Sequence, residues 1–252
     1  MPSGQDNTYF KGEADKAFNV ASMKKYVTNK QEMDKALEEM IRPFLSSLPA
    51  GRQGGEPSVL DACCGVGHVI SFLSEMNPRA SFLGVDQMPY LIEEAKKLNE
   101  GKENVSFETG DLFNLPAIYP KRFDLSINWK TLSWLPSYED ALKALFAVTK
   151  KHVFVSSLFY DGDIDFEIKV RQHKKEQDGF HYYNIYSLPR FIRFAKEHGA
   201  KQVDVADFHM PLDLPRGDVD HMGTYTIPLA DGSRLQMSGA VPMLWKLIRI
   251  DL

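Results

Sequence analysis

Cysteine is nearly missing from this 252-residue chain. The two present, Cys63 and Cys64, are neighbours, so they offer no disulfide framework. Neither has a CxxC partner, which removes a thiolate metal site, and no other ligand cluster stands out. Such usage suits a reducing cytoplasm. Long apolar runs are missing too, and nothing is long enough to span a bilayer. The start, "MPSGQDNTYFKGEADK", has no apolar core, so no secretory leader is expected. Charge of one sign does not dominate. The formal net charge is -4, and basic residues are scattered in pairs such as Lys24-Lys25 and Lys150-Lys151. Without a basic stripe, a nucleic-acid partner is disfavoured. Internal repeats and low-complexity tracts are also missing. The expectation is a soluble, cytoplasmic protein with no membrane partner; a homodimer stays open.

What is present fits a globular enzyme or binding protein. The chain is 43% hydrophobic and 25% charged, which supplies an ordinary core for one large domain. "TNKQEMDKALEEMIRPFLSSL" is strongly helical, with Met33, Leu37, Ile41 and Leu45 on one face. Thr28 and Gln31 have capping-box spacing, and Pro43 should kink or restart the helix. Residues 1–57 read as an N-terminal helical lid and linker, with Tyr9 and Phe10 as lid contacts and 49–57 as a loop. From Ser58 the rhythm is strand, turn, helix, repeated: "SVLDA", "SFLGVD", "NVSFETGD", "RFDLSIN" and "HVFVSSLFY" are strands. Strands alternating with helices imply right-handed βαβ units. The expected fold is α/β: a doubly wound, mostly parallel, seven-stranded sheet with helices on both faces, over residues 58–252. An insertion at 160–187 and a β-hairpin at 223–239, turning at Asp231-Gly232, should lie over the site. "KQVDVADFHM" and "MLWKLIRI" read as the last strands of the sheet.

The stretch "VLDACCGVGH" is the informative one. In an open parallel sheet, ligands bind beyond the carboxyl ends of the strands, where strand order reverses. Gly65 and Gly67 permit positive φ and close approach. The following helix offers free N–H groups. No Gly-Lys-Ser/Thr follows, so the turn is not a P-loop. Asp61 precedes the glycines, where it would repel a phosphate and welcome a cation. A zwitterionic cofactor fits best.

Four stretches in order, "VLDACCGVG", "FLGVDQM", "FETGDLFNLP" and "FDLSINWKTLSWL", resemble the motifs of the class I S-adenosylmethionine-dependent methyltransferases, which have a Rossmann-like sheet. The resemblance spans roughly residues 58–159. It implies S-adenosyl-L-methionine as cofactor, S-adenosyl-L-homocysteine as product, and no metal. It implies that Asp61, Cys63 and the Gly65–Gly67 turn hold the methionine portion. Asp86, with Gln87 beside it, would take the ribose hydroxyls. Asp111 and Leu112 would take the adenine, and Asn128 and Trp129 would line the sulfonium end. The family often has glycine where Cys63 stands, so a side chain there crowds the site. Trp134 reads as a core aromatic.

Substrate contacts should come from segments over the same edge: Glu167, His181, Tyr183, Asn184 and Tyr186. Tyr160 and His209 are the candidate catalytic residues, His209 as general base because imidazole titrates near neutral pH. The tail "GTYTIPLADGSRLQMSG" is similar to that of bacterial methyltransferases acting on sugars or secondary metabolites. The expected activity is O-methylation of a small polar acceptor. Methylation of an amino sugar or other small amine is the alternative, and a non-catalytic cofactor-binding protein is the second.

Overall fold

The computed structural model describes residues 20, 21, 23, 24, 30–48, 58–171, 180–217 and 222–252. The expected lid contacts Tyr9 and Phe10, the Thr28 cap and the 49–57 loop lie outside the described residues.

Helix α1 (Glu32–Ser46) is capped by Gln31, whose amide donates to Asp34 Oδ2 at 3.1 Å. The cap pairs Gln31 with Asp34, three residues on. The helix runs through Pro43 and ends one turn later. Leu37, Ile41 and Leu45 are fully buried in a core shared with Val59, Val69 and Ile70. The Asn77 side-chain amide donates to the Leu45 carbonyl at 2.8 Å, which satisfies an orphan acceptor near the helix end.

The sheet is built from β1 (Val59–Ala62), β2 (Phe82–Asp86), β3 (Val105–Thr109), β4 (Phe123–Trp129), β5 (Thr149–Tyr160), and later strands described below. Helices α2 (His68–Met76), α3 (Pro89–Leu98), the short α4 (Leu115–Ile118) and α5 (Glu139–Val148) connect them. Strands β1 and β2 are buried at every position, as expected where helices cover both faces. Strand β3 is an edge, and only Phe107 is fully inside.

After β5 come three short strands, β6 (Lys169–Val170), β7 (His181–Tyr182) and β8 (Tyr186–Ser187), then α6 (Leu188–Glu197) and β9 (Gln202–Asp207). A three-stranded antiparallel sheet follows, β10 (Thr224–Pro228), β11 (Arg234–Ser238) and β12 (Val241–Pro242), and β13 (Trp245–Asp251) closes the fold. The main sheet has the order β3-β2-β1-β4-β5-β13-β9, with the short β8 added against β5. Strand β13 runs antiparallel to both neighbours. The sequence expectation of a mostly parallel, doubly wound sheet is thus met, with β8 as an eighth strand.

Topology places the site. Strand order reverses between β1 and β4, so a crevice opens at their carboxyl ends. Strand β9 ends at that edge, and the antiparallel β13 starts there. The β10–β12 sheet between them, like residues 161–171 and 180–187 after β5, must therefore rise over the same edge. The hairpin differs in detail from the sequence expectation. Pro228 pairs with Arg234, so five residues form the loop instead of an Asp231-Gly232 two-residue turn, and Gly232 takes φ 84°. An Asp231 carboxylate oxygen accepts from the Ser233 amide and hydroxyl within that loop.

The Phe107 ring fills space that two glycines vacate. A Cβ on Gly84 would lie 2.6 Å from this ring and 2.9 Å from Cys64 Sγ, and one on Gly67 would lie 2.5 Å from the ring. Gly84→Ala is therefore expected to cost about 1–3 kcal/mol by overpacking. Chemical denaturation checks this, and combining it with Phe107→Leu should recover part of the loss.

Candidate functional site

The turn after β1 is held from two sides. The Cys63 and Cys64 amides both donate to the Val85 carbonyl, at 2.7 and 3.1 Å. The Gly65 amide donates to Asp86 Oδ2 at 2.9 Å, and the Met88 amide to Asp86 Oδ1 at 3.0 Å. Gly65 and Gly67 take φ of 56° and 73°, the left-handed region where glycine carries no Cβ penalty. Cys63 takes φ 65° in the same region. The physical reason glycine suits position 63 is thus the backbone, and cysteine holds it at a strain of about 1–2 kcal/mol.

Three buried polar groups at the ends of β1 and β4 lack hydrogen-bond partners among the described residues. Asp61 is 2% exposed and its Oδ2 accepts no hydrogen bond. Asn128 is fully buried; its Nδ2 donates to the Ala62 carbonyl at 2.9 Å, and its Oδ1 is unpartnered. Trp129 Nε1, one residue further, is buried and unpartnered. Orphaned buried groups of this kind cost about 1–3 kcal/mol each. Burial, then the charges of Asp86 and Asp34, push the Asp61 carboxyl well above the usual range. Burial also raises Asp86, against the opposing pull of the Met88 and Gly65 amides. The half-buried Cys63 stands among them: burial, then the Asp86, Asp61 and Asp111 carboxylates, raise its thiol and keep it neutral.

These residues fit a zwitterionic sulfonium cofactor. Asp61 Oδ2 and Asn128 Oδ1 are buried, unpartnered acceptors that a cation would satisfy. Each Asp86 oxygen uses one lone pair on an amide and keeps another for a diol hydroxyl. Asp111 is exposed and caps a short 3-10 turn by accepting from the Phe113 amide at 3.0 Å, which leaves its second oxygen for an amino group. Leu112 is buried beside it, and Gln87 is exposed one residue past Asp86. Among the described residues, no group of three or more His, Cys, Asp or Glu could hold a metal.

The expected substrate residues divide. His181 and Tyr183 form an aromatic wall with Trp134. Trp134 stacks on His181 with ring centroids 5.0 Å apart and planes at 21°, and meets Tyr183 edge-on at 5.5 Å. The Tyr183 hydroxyl contacts Met243 Sδ at 3.2 Å. Trp134 is 40% exposed, so it is not the core aromatic expected from the sequence. Asn184 and Tyr186 are instead fixed to backbone. Asn184 Nδ2 donates to the Leu135 carbonyl at 3.0 Å while its Oδ1 accepts from the Ile168 amide. The Tyr186 hydroxyl reaches the Leu132 and Leu135 carbonyls at 2.9 and 2.7 Å. Both act as staples that hold residues 184–186 on the turn after β4.

Glu167 is exposed. Tyr160 is exposed at the end of β5, edge-on to Phe166 at 5.4 Å, with Gly162 against its ring. His209 is exposed beyond β9.

Two residues carry signals that composition and motif reading overlooked. Asp34 is fully buried, on the same helical stripe as Leu37 and Ile41. Lys130, at φ 62° just past Trp129, points its ammonium at Gln31 Oε1, 2.6 Å away. An acid on an apolar stripe was the readable clue to the first; nothing local marked the second.

The raised Asp61 carboxyl makes a pH prediction. A carboxyl with a raised folded value adds stability that is complete below the ordinary carboxylate range and disappears as pH rises through the raised value. Asp61→Asn abolishes this dependence. In denaturant melts of cofactor-free protein, the wild type should lose up to about 1.4 kcal/mol per pH unit across that window relative to the variant. Parallel profiles would show that Asp61 is not desolvated.

A family described as "methyltransferase domain" matches residues 55–209, more than half of the chain. An S-adenosyl-L-methionine-dependent Diels-Alderase, iccD, from Talaromyces variabilis is 32% identical over 124 residues, which is 47% of this chain and 40% of that protein. A trans-aconitate 2-methyltransferase from Methylobacterium nodulans is 31% identical over 111 residues, 44% of this chain and 41% of that one. The chain thus spans well under half the length of these two relatives. Among solved structures, the N-terminal domain of EvdMO1, determined with SAH and D-fucose, superposes with a TM-score of 0.56 at 13% identity. The superposition covers 89% of this chain and 85% of that one, a likeness of fold alone. With the sheet order, the glycine turn and the strand-end acids in place, the chain belongs to the methyltransferase domain family, of the class I S-adenosylmethionine-dependent type.

Proposed function

We propose that this protein transfers a methyl group from S-adenosylmethionine to an oxygen of a small polar acceptor. The observation that carries the reading is the pair of unpartnered buried acceptors, Asp61 Oδ2 and Asn128 Oδ1, at the point where strand order reverses. An ammonium group satisfies both. When bound, the cofactor supplies an electrophilic methyl on a sulfonium sulfur.

The chain's own part is to bind, orient and exclude water. Asp61 and Asn128 anchor the amino-acid end, and the Gly65–Gly67 turn lets the backbone close on it. Asp86 holds the ribose hydroxyls, with Gln87 at its rim. Asp111 and Leu112 receive the adenine. Trp129 borders the sulfonium, where an aromatic face favours a cation. Trp134, His181 and Tyr183 wall the acceptor side and keep it dry, so that the acceptor oxygen can lie in line with the methyl. His209 takes the acceptor's proton, and Tyr160 and Glu167 contact its polar groups. One relative's name gives trans-aconitate as its acceptor, and one structural neighbour was determined with D-fucose; both fit a small, oxygen-rich acceptor class.

Calorimetric titration with S-adenosylhomocysteine should give saturable binding. Asp86→Ala should weaken it by about 1–3 kcal/mol, or roughly 5–150-fold, while the protein stays folded. In methyl-transfer assays with hydroxyl, carboxyl and amine acceptors, the methyl should appear on oxygen, and His209→Ala should slow turnover at least 10-fold. Transfer to amines alone, with His209→Ala unaffected, would favour the N-methylation alternative. Binding without any transfer would favour the non-catalytic one.

A further inference from the structure

Outside the residues assigned above lies one buried charged cluster that the proposed reaction does not use. Asp34, fully buried in the first turn of α1, has Oδ1 3.5 Å from Lys130 Nζ and 3.6 Å from His68 Nε2. Its other oxygen accepts the Gln31 amide at 3.1 Å, and Lys130 Nζ also donates to Gln31 Oε1 at 2.6 Å.

Each partner stands at a decisive place. His68 is the first residue of α2, directly after Gly67. Lys130 follows Asn128 and Trp129, and its left-handed backbone is fixed by amide bonds to Ser156 O and Oγ at 3.1 and 3.0 Å. A β1–α2 turn and a β4 exit on neighbouring strands are thus tied to one carboxylate from a third element. Burial opposes ionisation of Asp34, but the neighbouring His68 ring and the Lys130 charge outweigh it and hold the carboxyl below its usual range. Removing one member of such a cluster strands the others in a dry place, which is far costlier than losing an exposed pair.

We infer that Asp34 is a positioning residue: through His68 and Lys130 it sets the spacing between the glycine turn and the Asn128–Trp129 exit, the two jaws of the cofactor crevice. Helix α1 is then a working part of the site as well as a cover for the sheet. This rests on the cofactor reading above, yet it concerns the cofactor-free protein and can fail separately.

The test compares wild type with Asp34→Asn and Lys130→Met, either of which suffices if the other fails to fold. Met40→Ala, on the same helix and away from the cluster, serves as the comparator for general loosening of α1. Amide hydrogen exchange of the cofactor-free proteins is read at residues 63–68 and 128–131. Asp34→Asn or Lys130→Met should speed exchange at least 10-fold in both segments together, and Met40→Ala should not. Dissociation constants for S-adenosylhomocysteine should rise at least 10-fold in the same two variants, with the double variant no worse than the weaker single. Unchanged exchange in either segment, or equal loss in Met40→Ala, overturns the inference. Wild-type protein that binds no S-adenosylhomocysteine overturns the functional reading instead, and the exchange comparison then decides the inference alone.

Discussion

The Gly65 amide donates to Asp86 across the carboxyl ends of β1 and β2, and that contact sets the geometry of the whole edge. Gly65 and Gly67, both in the left-handed region, carry no side chains that could stiffen the strand-to-helix turn at those positions. The carboxylate supplies the stiffness from the neighbouring strand. Fixing it there has a cost, because burial raises both Asp86 and Asp61 and leaves Asp61 Oδ2 unpartnered. Folded proteins rarely keep buried acceptors unsatisfied. Here they lie at the strand ends where open α/β sheets take ligands, and a cationic ligand would satisfy them.

The remaining architecture serves that edge. Antiparallel β13 brings the chain back so that β10–β12 rises over the crevice. Asn184 and Tyr186 pin the chain before β8 and its start to the Leu132 and Leu135 carbonyls. That anchoring presents His181 and Tyr183 to Trp134 as one aromatic wall. From the opposite side α1 reaches Lys130 and His68 through Asp34. Three segments remote in sequence therefore converge on the strand ends.

The fold was legible because its signals are local. Short apolar strands, each followed by a turn and an amphipathic helix, dictate a parallel sheet, and the acids at 61, 86 and 111 stand next to glycines or turns. The site's outer parts were less legible because they depend on tertiary placement. Trp134 has the composition of a core residue, and only the position of the 181–187 segment leaves it exposed. Asn184 and Tyr186 look like substrate groups until their backbone partners are known. Gln31 caps α1 because Asp34, three residues on, accepts its amide. The hairpin kept its Asp-Gly pair but widened to five residues, since the register is set by β10–β11 pairing. Lys130 could not be found from sequence, as its partner lies 96 residues away.

The central claim is that the strand-end acids hold a sulfonium cofactor in one orientation. A crystal structure of the protein with S-adenosylhomocysteine tests it most directly. The expected result is the amino group within hydrogen-bond distance of Asp61 and Asn128, and the ribose diol on Asp86. A ligand seated elsewhere, or a crevice whose acceptors are satisfied by the protein's own side chains in the presence of saturating ligand, would contradict the account.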